Sequence, residues 1–276
     1  MNDAAGDRPL NILVCIKIVR DPNQLEADAE GHPDLARAPL RASTFDDHAI
    51  EAGLQLCADH GGRVFGVSVT NEDPPRDVLL RVMAMGLEAL YVIKDDADEA
   101  GDTYGVTVAL AAAARAIAAT EEIPQWDLLL AGEASADQYN AQIGPRLAVA
   151  LDLQAIPHAI KLEIEQGKLI AERTTEDGAE TLETDLPVLA TVGTEINQAR
   201  IPTVLQVMGA QKKRLCEMSL NDVPGFEPDS LSSGVTLRTI DVTAPPNSRK
   251  QTKVEGDTPE ETAANLVALL STDGEV

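Results

Sequence analysis

Short apolar segments without polar alternation recur along the first 150 residues, and a helical pattern follows each of them. Such segments are typical of strands that are buried on both faces. They occupy residues 11–17, 63–70, 89–94 and 126–131. The helical patterns begin after Ser43-Thr44, after Pro74-Pro75, at Thr103 and near Asn140. This alternation predicts an α/β fold with a doubly wound, mostly parallel sheet and helices on both faces.

The pattern changes after residue 150. Residues 159–165 and 168–174 flank Gln166-Gly167, a pair that favours a hairpin turn. Further strand-like runs at 180–184 and 188–192 predict, with that hairpin, antiparallel strands that extend the parallel sheet at one edge.

The C-terminal part differs in composition. Residues 216–257 are rich in Pro, Ser, Asp and Thr, and 259–270 form one amphipathic helical pattern that Thr258 could cap. A long irregular segment with a lone helix is poorly stabilised by itself. We therefore expect a nucleotide-binding α/β domain over 1–215, and an extended C-terminal arm and helix over 216–276 that pack on another subunit. A partly disordered tail is the alternative.

Charge excludes some classes of function. The chain carries 46 acidic and 22 basic residues, for a formal net charge of -24. Such a surface repels phosphates, which argues against nucleic-acid partners and against docking on anionic membranes. The sequence shows no apolar run of about 18 residues, so we expect no membrane insertion. A soluble cytoplasmic protein is the prediction, and a saline habitat would also explain the charge.

No catalytic or metal-binding constellation is predicted. Three scattered cysteines form no CxxC pair, and the four histidines lack metal-ligand spacing. Glycine-rich dinucleotide, P-loop and G-x-S-x-G signatures are missing from the sequence. We therefore predict no catalytic residue and no metal.

The loop after the fourth predicted strand is the best site for a ligand. It follows WDLLLA with small and polar residues before a helix begins. Ligands of open α/β sheets bind outside the carboxyl ends of the strands, and a helix N-terminus suits a phosphate. Asp137 could cap that helix or accept a hydrogen bond from a ribose. Residues 15–17, 43–46 and 67–70 should lie beside this loop.

A second feature is an acid-free stretch in this acidic chain. Residues 196–216 contain no Asp or Glu, but they carry Arg200, Lys212, Lys213 and Arg214. Apolar residues at 201–208 lie in its middle. A protein-docking element and an ordinary helix that packs Val204, Leu205 and Met208 into the core remain equal alternatives.

The ordered motifs NILVCIKIVRDP, STFDDHAIEAGLQL, GEASADQYNAQIGPRLA and DLPVLATVGTEINQARIP give the chain a family resemblance. Over roughly residues 10–215 the chain resembles the beta subunits of electron-transfer flavoproteins. Its motif details look closest to the branch associated with nitrogen fixation and carnitine metabolism. The resemblance implies an adenine-nucleotide alpha-hydrolase-like (Rossmann-like) fold and a heterodimer whose alpha subunit carries the electron-transferring FAD.

The resemblance also implies site residues. In most members the beta subunit holds AMP, whereas in electron-bifurcating members a second FAD there takes a hydride from NADH. By position, the nucleotide would contact Cys15, Ser43, Thr44, Phe45, Asp46, Val69, Gly132, Glu133, Ala134, Ser135, Ala136, Asp137, Gln138, Tyr139, Asn140, Ala141, Gln142 and Ile143. The resemblance also assigns partner docking to Arg200, Val204, Leu205 and Met208.

Three functions follow. The leading one is an electron carrier between an acyl-CoA or related dehydrogenase and a quinone reductase or ferredoxin-type acceptor. A bifurcating, NADH-oxidising subunit is the second, although the chain has Asp137-Gln138-Tyr139 where bifurcating members commonly carry Asp-Gly-Asp-Thr. A stand-alone nucleotide-binding module without a redox role is the third. AMP is slightly favoured over FAD in this subunit.

Overall fold

A computed structural model describes residues 8–28, 30–95, 102–228, 237, 239–244 and 252–273. The strands are β1 Leu10–Cys15, β2 Ile18–Arg20, β3 Leu40–Ala42, β4 Gly62–Thr70, β5 Ala89–Lys94, β6 Leu128–Gly132, β7 Gln154–Glu165, β8 Lys168–Thr175, β9 Gly178–Asp185, β10 Val188–Val192 and β11 Arg214–Ser219. The α-helices are α1 Thr44–His60, α2 Arg76–Ala84, α3 Thr103–Thr120, α4 Ile143–Leu151, α5 Val204–Ala210 and α6 Pro259–Asp273.

Nine strands form one sheet in the order β11-β5-β4-β1-β6-β10-β7-β8-β9. The pairs from β11 through β7 are parallel, whereas β7, β8 and β9 pair antiparallel. Strands β2 and β3 form a small separate antiparallel sheet. The predicted α/β class, the mostly parallel sheet and the antiparallel edge are confirmed.

One strand lies elsewhere than expected. Residues 188–192 were predicted among the antiparallel strands, but β10 runs parallel to both β6 and β7 inside the sheet. All five of its residues are buried, as a strand that is covered on both faces requires. Its apolar run therefore belongs with those of β1 and β6, and the prediction for this strand was wrong.

The sheet edge opposite the antiparallel strands holds a strand that the sequence did not predict. Strand β11 pairs with β5 in parallel from Arg214 to Ser219 and so crosses the predicted domain boundary at residue 215. Beyond it, Leu220, Val223 and Phe226 are buried in the core. Parts of the predicted arm, at 229–236, 238, 245–251 and 274–276, lie outside the described residues. Helix α6 is described, and the Oγ1 atom of Thr258 accepts from Glu261 N at 3.2 Å.

Two apolar clusters cover the two faces of the sheet. Alternate residues of β1 divide between them: Ile12 and Val14 face the cluster under α1 and α2, and Leu13 and Cys15 face the one under α3. Because side chains alternate along a strand, an uninterrupted apolar run serves both clusters. Because both faces of the sheet are covered, a site can form where the strands end, and the loops at the carboxyl ends of the strands can build it.

Helix α3 bears on the membrane prediction. By length and composition, Thr103–Thr120 could cross a membrane, and half of it is buried inside this fold. The expectation that no run is long and apolar enough is therefore wrong for this segment. Its small residues, among them Ala109 and Ala113, are buried against the sheet. Core helices of soluble proteins pass the same test, so the segment is weak support for a membrane span.

Candidate functional site

The carboxyl ends of β1 and β6 lie side by side in the middle of the sheet. After β1 the chain builds the strands on one side, β4 and β5, and then returns to β6 on the other side. Helix α1 packs over one sheet face, and α3 and α4 pack over the other. A doubly wound sheet opens a crevice at such a reversal of strand order, and ligands bind there. The predicted loop therefore starts at the expected position.

The carboxylate of Asp46 joins the two strand ends across this crevice. One oxygen accepts the backbone N–H of Lys17, after β1, at 2.7 Å, and the other accepts that of Gly132, at the end of β6, at 3.2 Å. Asp46 is 5% exposed. Burial raises the pKa of Asp46 to about 7, and the two N–H donors oppose that shift. Asp46 therefore holds the chain after β1 and the end of β6 together at the rim of the sheet.

The raised pKa of Asp46 predicts a pH-dependent stability. The pKa of aspartate in an unfolded chain is about 3.9. Between roughly pH 4 and pH 7, Asp46 is therefore protonated in the folded chain and releases its proton on unfolding. The free energy of unfolding should therefore fall as the pH rises through that window, by an amount on the order of 4 kcal/mol. Urea unfolding of the purified chain across this range measures the slope.

Asp46→Asn should flatten this slope. Asp47 is the matched control, because its pKa is also raised by burial, to about 6, and Asp47→Asn should flatten the slope less. Equal slopes for the wild-type chain and Asp46→Asn would contradict the assignment.

Ser43 holds the loop rather than the helix. It stands at the N-cap position of α1, but its side chain makes no capping hydrogen bond. Its Oγ atom instead accepts the backbone N–H of Ala136 at 3.3 Å, and the residue is fully buried. The Ser43 hydroxyl therefore does not cap α1, although Ser is a common capping residue, because it binds the loop after β6 instead; Thr44 is already the first helical residue.

Close backbone approach explains the glycine at the end of β6. A Cβ atom on Gly132 would lie 2.5 Å from Phe45 Cβ and 2.7 Å from Asp46 Oδ1. Those distances are shorter than any non-bonded carbon contact, so no side chain fits without a shift. The start of α1 and the end of β6 are thus packed as tightly as the backbone allows.

The middle of the loop extends further before its helix than predicted. Tyr139 and Ala141 adopt positive φ angles of 53°, and α4 begins only at Ile143. Asp137 does not cap that helix, because its carboxylate binds Lys17 Nζ at 2.7 Å. This pairing contributes to a pKa of Asp137 below its usual range, against the raising effect of burial. Gln142, at the N-cap of α4, makes no side-chain capping bond.

Two of the chain's few aromatic rings meet at this rim. Phe45 and Tyr139 are in edge-to-face contact, with ring centroids 5.5 Å apart. Tyr139 is 63% exposed, so one side of its ring is open to a partner or ligand. An exposed aromatic beside a crevice can stack on a flat heterocycle.

The other predicted site residues are divided between rim and core. Cys15 ends β1 with its side chain in the apolar cluster under α3, and burial raises the pKa of its thiol to about 12. Val69 is half-buried on β4 and packs against the same cluster. Glu133 lies on the side of the loop that faces β7, where its carboxylate contacts His158 Nδ1 at 3.1 Å. These three residues are near the strand ends, where Cys15 and Val69 pack against the core and Glu133 contacts β7.

Three of the four predicted docking residues, Val204, Leu205 and Met208, form an exposed patch around α5 together with Ile201. We call Ile201, Val204, Leu205 and Met208 the docking patch; these residues are 91%, 76%, 79% and 60% exposed. Helix α5 is nevertheless fixed by a capping box, in which the side chains of Thr203 and Gln206 exchange hydrogen bonds with each other's backbone N–H groups. The alternative of apolar residues packed into the core is wrong.

Three of the four cations of the acid-free stretch bind acceptors on other elements of the fold. Arg200 pairs with Glu51, and Arg214 pairs with Glu121. Lys213 donates to the carbonyl oxygens of Met83 and Leu87, and burial lowers its pKa. The stretch is basic partly because these side chains satisfy buried acceptors of other elements.

Sequence reasoning missed several residues that build this region. Lys17 was placed near the loop but not named as a site residue, and Glu51 and Asn197 were not singled out. His48 and Glu51 lie one turn apart on α1, and they contact Asn197 and Arg200, which are 149 positions away in each case. A separation of that length leaves no periodic signal in a single sequence.

Comparison with known proteins identifies the class to which this doubly wound chain belongs. The sequence model of the electron transfer flavoprotein domain matches residues 35–223. The electron transfer flavoprotein subunit beta of Bacillus subtilis is 32% identical over 97% of this chain and 100% of its own length. Those of Megasphaera elsdenii and Thermoanaerobacterium thermosaccharolyticum are each 30% identical, over 86% and 95% of this chain and 88% and 98% of their own lengths.

The chain therefore belongs to the electron transfer flavoprotein family, among relatives of its beta subunits. This membership implies an alpha subunit as partner in a heterodimer and a role in electron transport. The family resemblance drawn from the motifs is confirmed. Assignment to the nitrogen-fixation and carnitine branch stays a prediction.

Proposed function

We propose that this beta subunit binds an adenine nucleotide at the rim of its sheet and docks the heterodimer on partner dehydrogenases. In this scheme electrons pass from an acyl-CoA or related dehydrogenase to a quinone reductase or ferredoxin-type acceptor. FAD, carried mainly by the alpha subunit, accepts and donates those electrons. The observation that carries the proposal is the docking patch, an exposed apolar surface on a helix that is itself firmly fixed.

The rim has features that fit an adenosine phosphate. The small residues that follow Gly132, Ala134, Ser135 and Ala136, put little side-chain bulk on the loop backbone. Tyr139 offers an exposed ring to adenine, and the uncapped first turn of α4 offers N–H groups to a phosphate. Lys17 places an ammonium group at the same loop. AMP needs no more than these groups, which favours it over a second FAD.

No side chain of this chain is required as an acid or base in the scheme. The redox chemistry belongs to the cofactor, and the protein contributes binding and orientation. Asp46 and Ser43 hold the loop through its backbone, so they set where a nucleotide lies. The docking patch sets the distance between the heterodimer's flavin and the partner's flavin.

Electron delivery tests this proposal. The heterodimer is mixed with an acyl-CoA dehydrogenase that its own substrate has reduced, and flavin absorbance is followed; the isolated alpha subunit is the control. We expect bleaching of the heterodimer's flavin that requires this chain. Reduction by NADH without any dehydrogenase would instead favour the bifurcating alternative. If an alpha subunit neither binds nor stabilises the chain, the stand-alone module would be favoured.

A further inference from the structure

Glu51 is an acid buried in the middle of α1. Its side chain is 6% exposed, and the guanidinium of Arg200 binds it in a bidentate manner, Nε to Oε2 at 2.5 Å and Nη2 to Oε1 at 2.9 Å. The backbone N–H of Arg200 also donates to Oε2, at 3.3 Å. Paired, charge-assisted bonds of this kind fix orientation as well as distance. Glu51 therefore holds both the side chain and the backbone of the segment before α5.

A second contact holds the same segment one helical turn away. Asn197 Nδ2 donates to the carbonyl oxygen of His48 at 3.0 Å, and its Oδ1 lies 3.0 Å from His48 Nδ1. His48 and Glu51 are three residues apart on α1, so they lie on the same face of the helix. Asn197 and Arg200 are also three residues apart. Residues 197–200 are thus attached along α1 at two points.

The docking patch begins immediately after this attachment. Ile201 follows Arg200, and the capping box of Thr203 then starts α5. Only three residues separate Arg200 from Val204, so the direction of the patch depends on how Arg200 is held. Helix α1, which carries Glu51, also carries Asp46 at the rim of the sheet. One helix therefore supports both the docking patch and the proposed nucleotide site.

We propose that Glu51 is a positioning residue for partner docking, which it serves by fixing Arg200 and with it the docking patch. The inference rests on the proposed function, because it assumes that the patch meets a dehydrogenase. A bond that only added stability would affect the whole chain. A positioning bond should change how tightly the partner binds and leave the later electron transfer unchanged.

The test uses the complete heterodimer with Glu51→Gln, which keeps the size of the side chain and removes its charge. Asp59→Asn is the matched control, because Asp59 is an exposed acid near the end of the same helix. The reduced acyl-CoA dehydrogenase is titrated with each heterodimer. We expect at least a tenfold rise in the KM for the Glu51→Gln heterodimer, with kcat and flavin content unchanged. Arg200→Lys, which keeps the charge but loses the bidentate geometry, should show a smaller rise.

An unchanged KM would overturn the proposal, and so would a Glu51→Gln heterodimer that loses flavin or changes kcat. Amide hydrogen exchange separates this result from a failure of the proposed function. Faster exchange across 196–203 in Glu51→Gln, but not in Asp59→Asn, is expected whether or not the dehydrogenase accepts the heterodimer. Wild-type exchange rates in that segment would reject a positioning role even if the wild-type heterodimer takes no electrons.

Discussion

Replacing both Val204 and Leu205 with aspartate is expected to abolish reduction of the heterodimer by the acyl-CoA dehydrogenase proposed as its partner. The two side chains are 76% and 79% exposed, so their replacement costs the fold little. In a protein interface, however, two carboxylates would be buried where apolar contacts are needed. Truncating a central apolar contact costs about 2 kcal/mol or more, so the double change should lower kcat/KM by at least about 100-fold.

Steady-state reduction measures this effect, with flavin content and thermal unfolding as the checks on folding. Leu35→Asp plus Val149→Asp is the matched control, because it adds two carboxylates at apolar positions that are 52% and 82% exposed. Electron transfer at the wild-type rate in the Val204 and Leu205 variant would remove the docking role. Loss of flavin from that variant would make the segment structural instead.

A methyl group at Gly132 should disrupt the proposed nucleotide site. The added Cβ would lie 2.5 Å from Phe45 Cβ, 2.7 Å from Asp46 Oδ1 and 3.0 Å from the carbonyl oxygen of Ala134. Overpacking of this kind typically costs about 1–3 kcal/mol, and relief requires α1 and the loop to move apart. Gly132→Ala should therefore bind less of the proposed adenine nucleotide and unfold at a lower temperature.

Gly209→Ala provides the control for this glycine. A Cβ atom there meets no heavy atom within 4 Å, and the position is helical, so stability should stay equal or rise slightly. Nucleotide content is measured by chromatography after the heterodimer is denatured. If Gly132→Ala retains the wild-type amount of nucleotide, the packing of α1 against the end of β6 does not shape the proposed site.

The central strands were predictable because they are buried on both faces. Such strands must be apolar throughout, as in Leu128–Gly132, and a run of that kind stands out in one sequence. Strand β11 was missed because it lies at an edge of the sheet, where Arg214 and Glu217 are exposed and break the apolar run. The sequence could not predict that β10 runs parallel to its neighbours, because its pairing with β6 and β7 is fixed by tertiary packing.

Much of the candidate site followed from topology, but its internal bonds did not. Ending β1 and β6 at one rim brings 15–17 and 132–143 together in any doubly wound sheet. An acid in the first turn of a helix, as Asp46 is, commonly serves the helix N-terminus, and only the fold shows that Asp46 joins two strand ends. Ser43 likewise reads as a cap, but its hydroxyl binds Ala136. Local residue preferences cannot distinguish these alternatives.

Counting the cofactors of the purified heterodimer tests the account most directly. The chain and its alpha subunit are copurified and denatured, and the released FAD and AMP are quantified against the protein. The account predicts one FAD and one AMP per heterodimer. Two FAD molecules, or one FAD with no adenine nucleotide beside it, would contradict it.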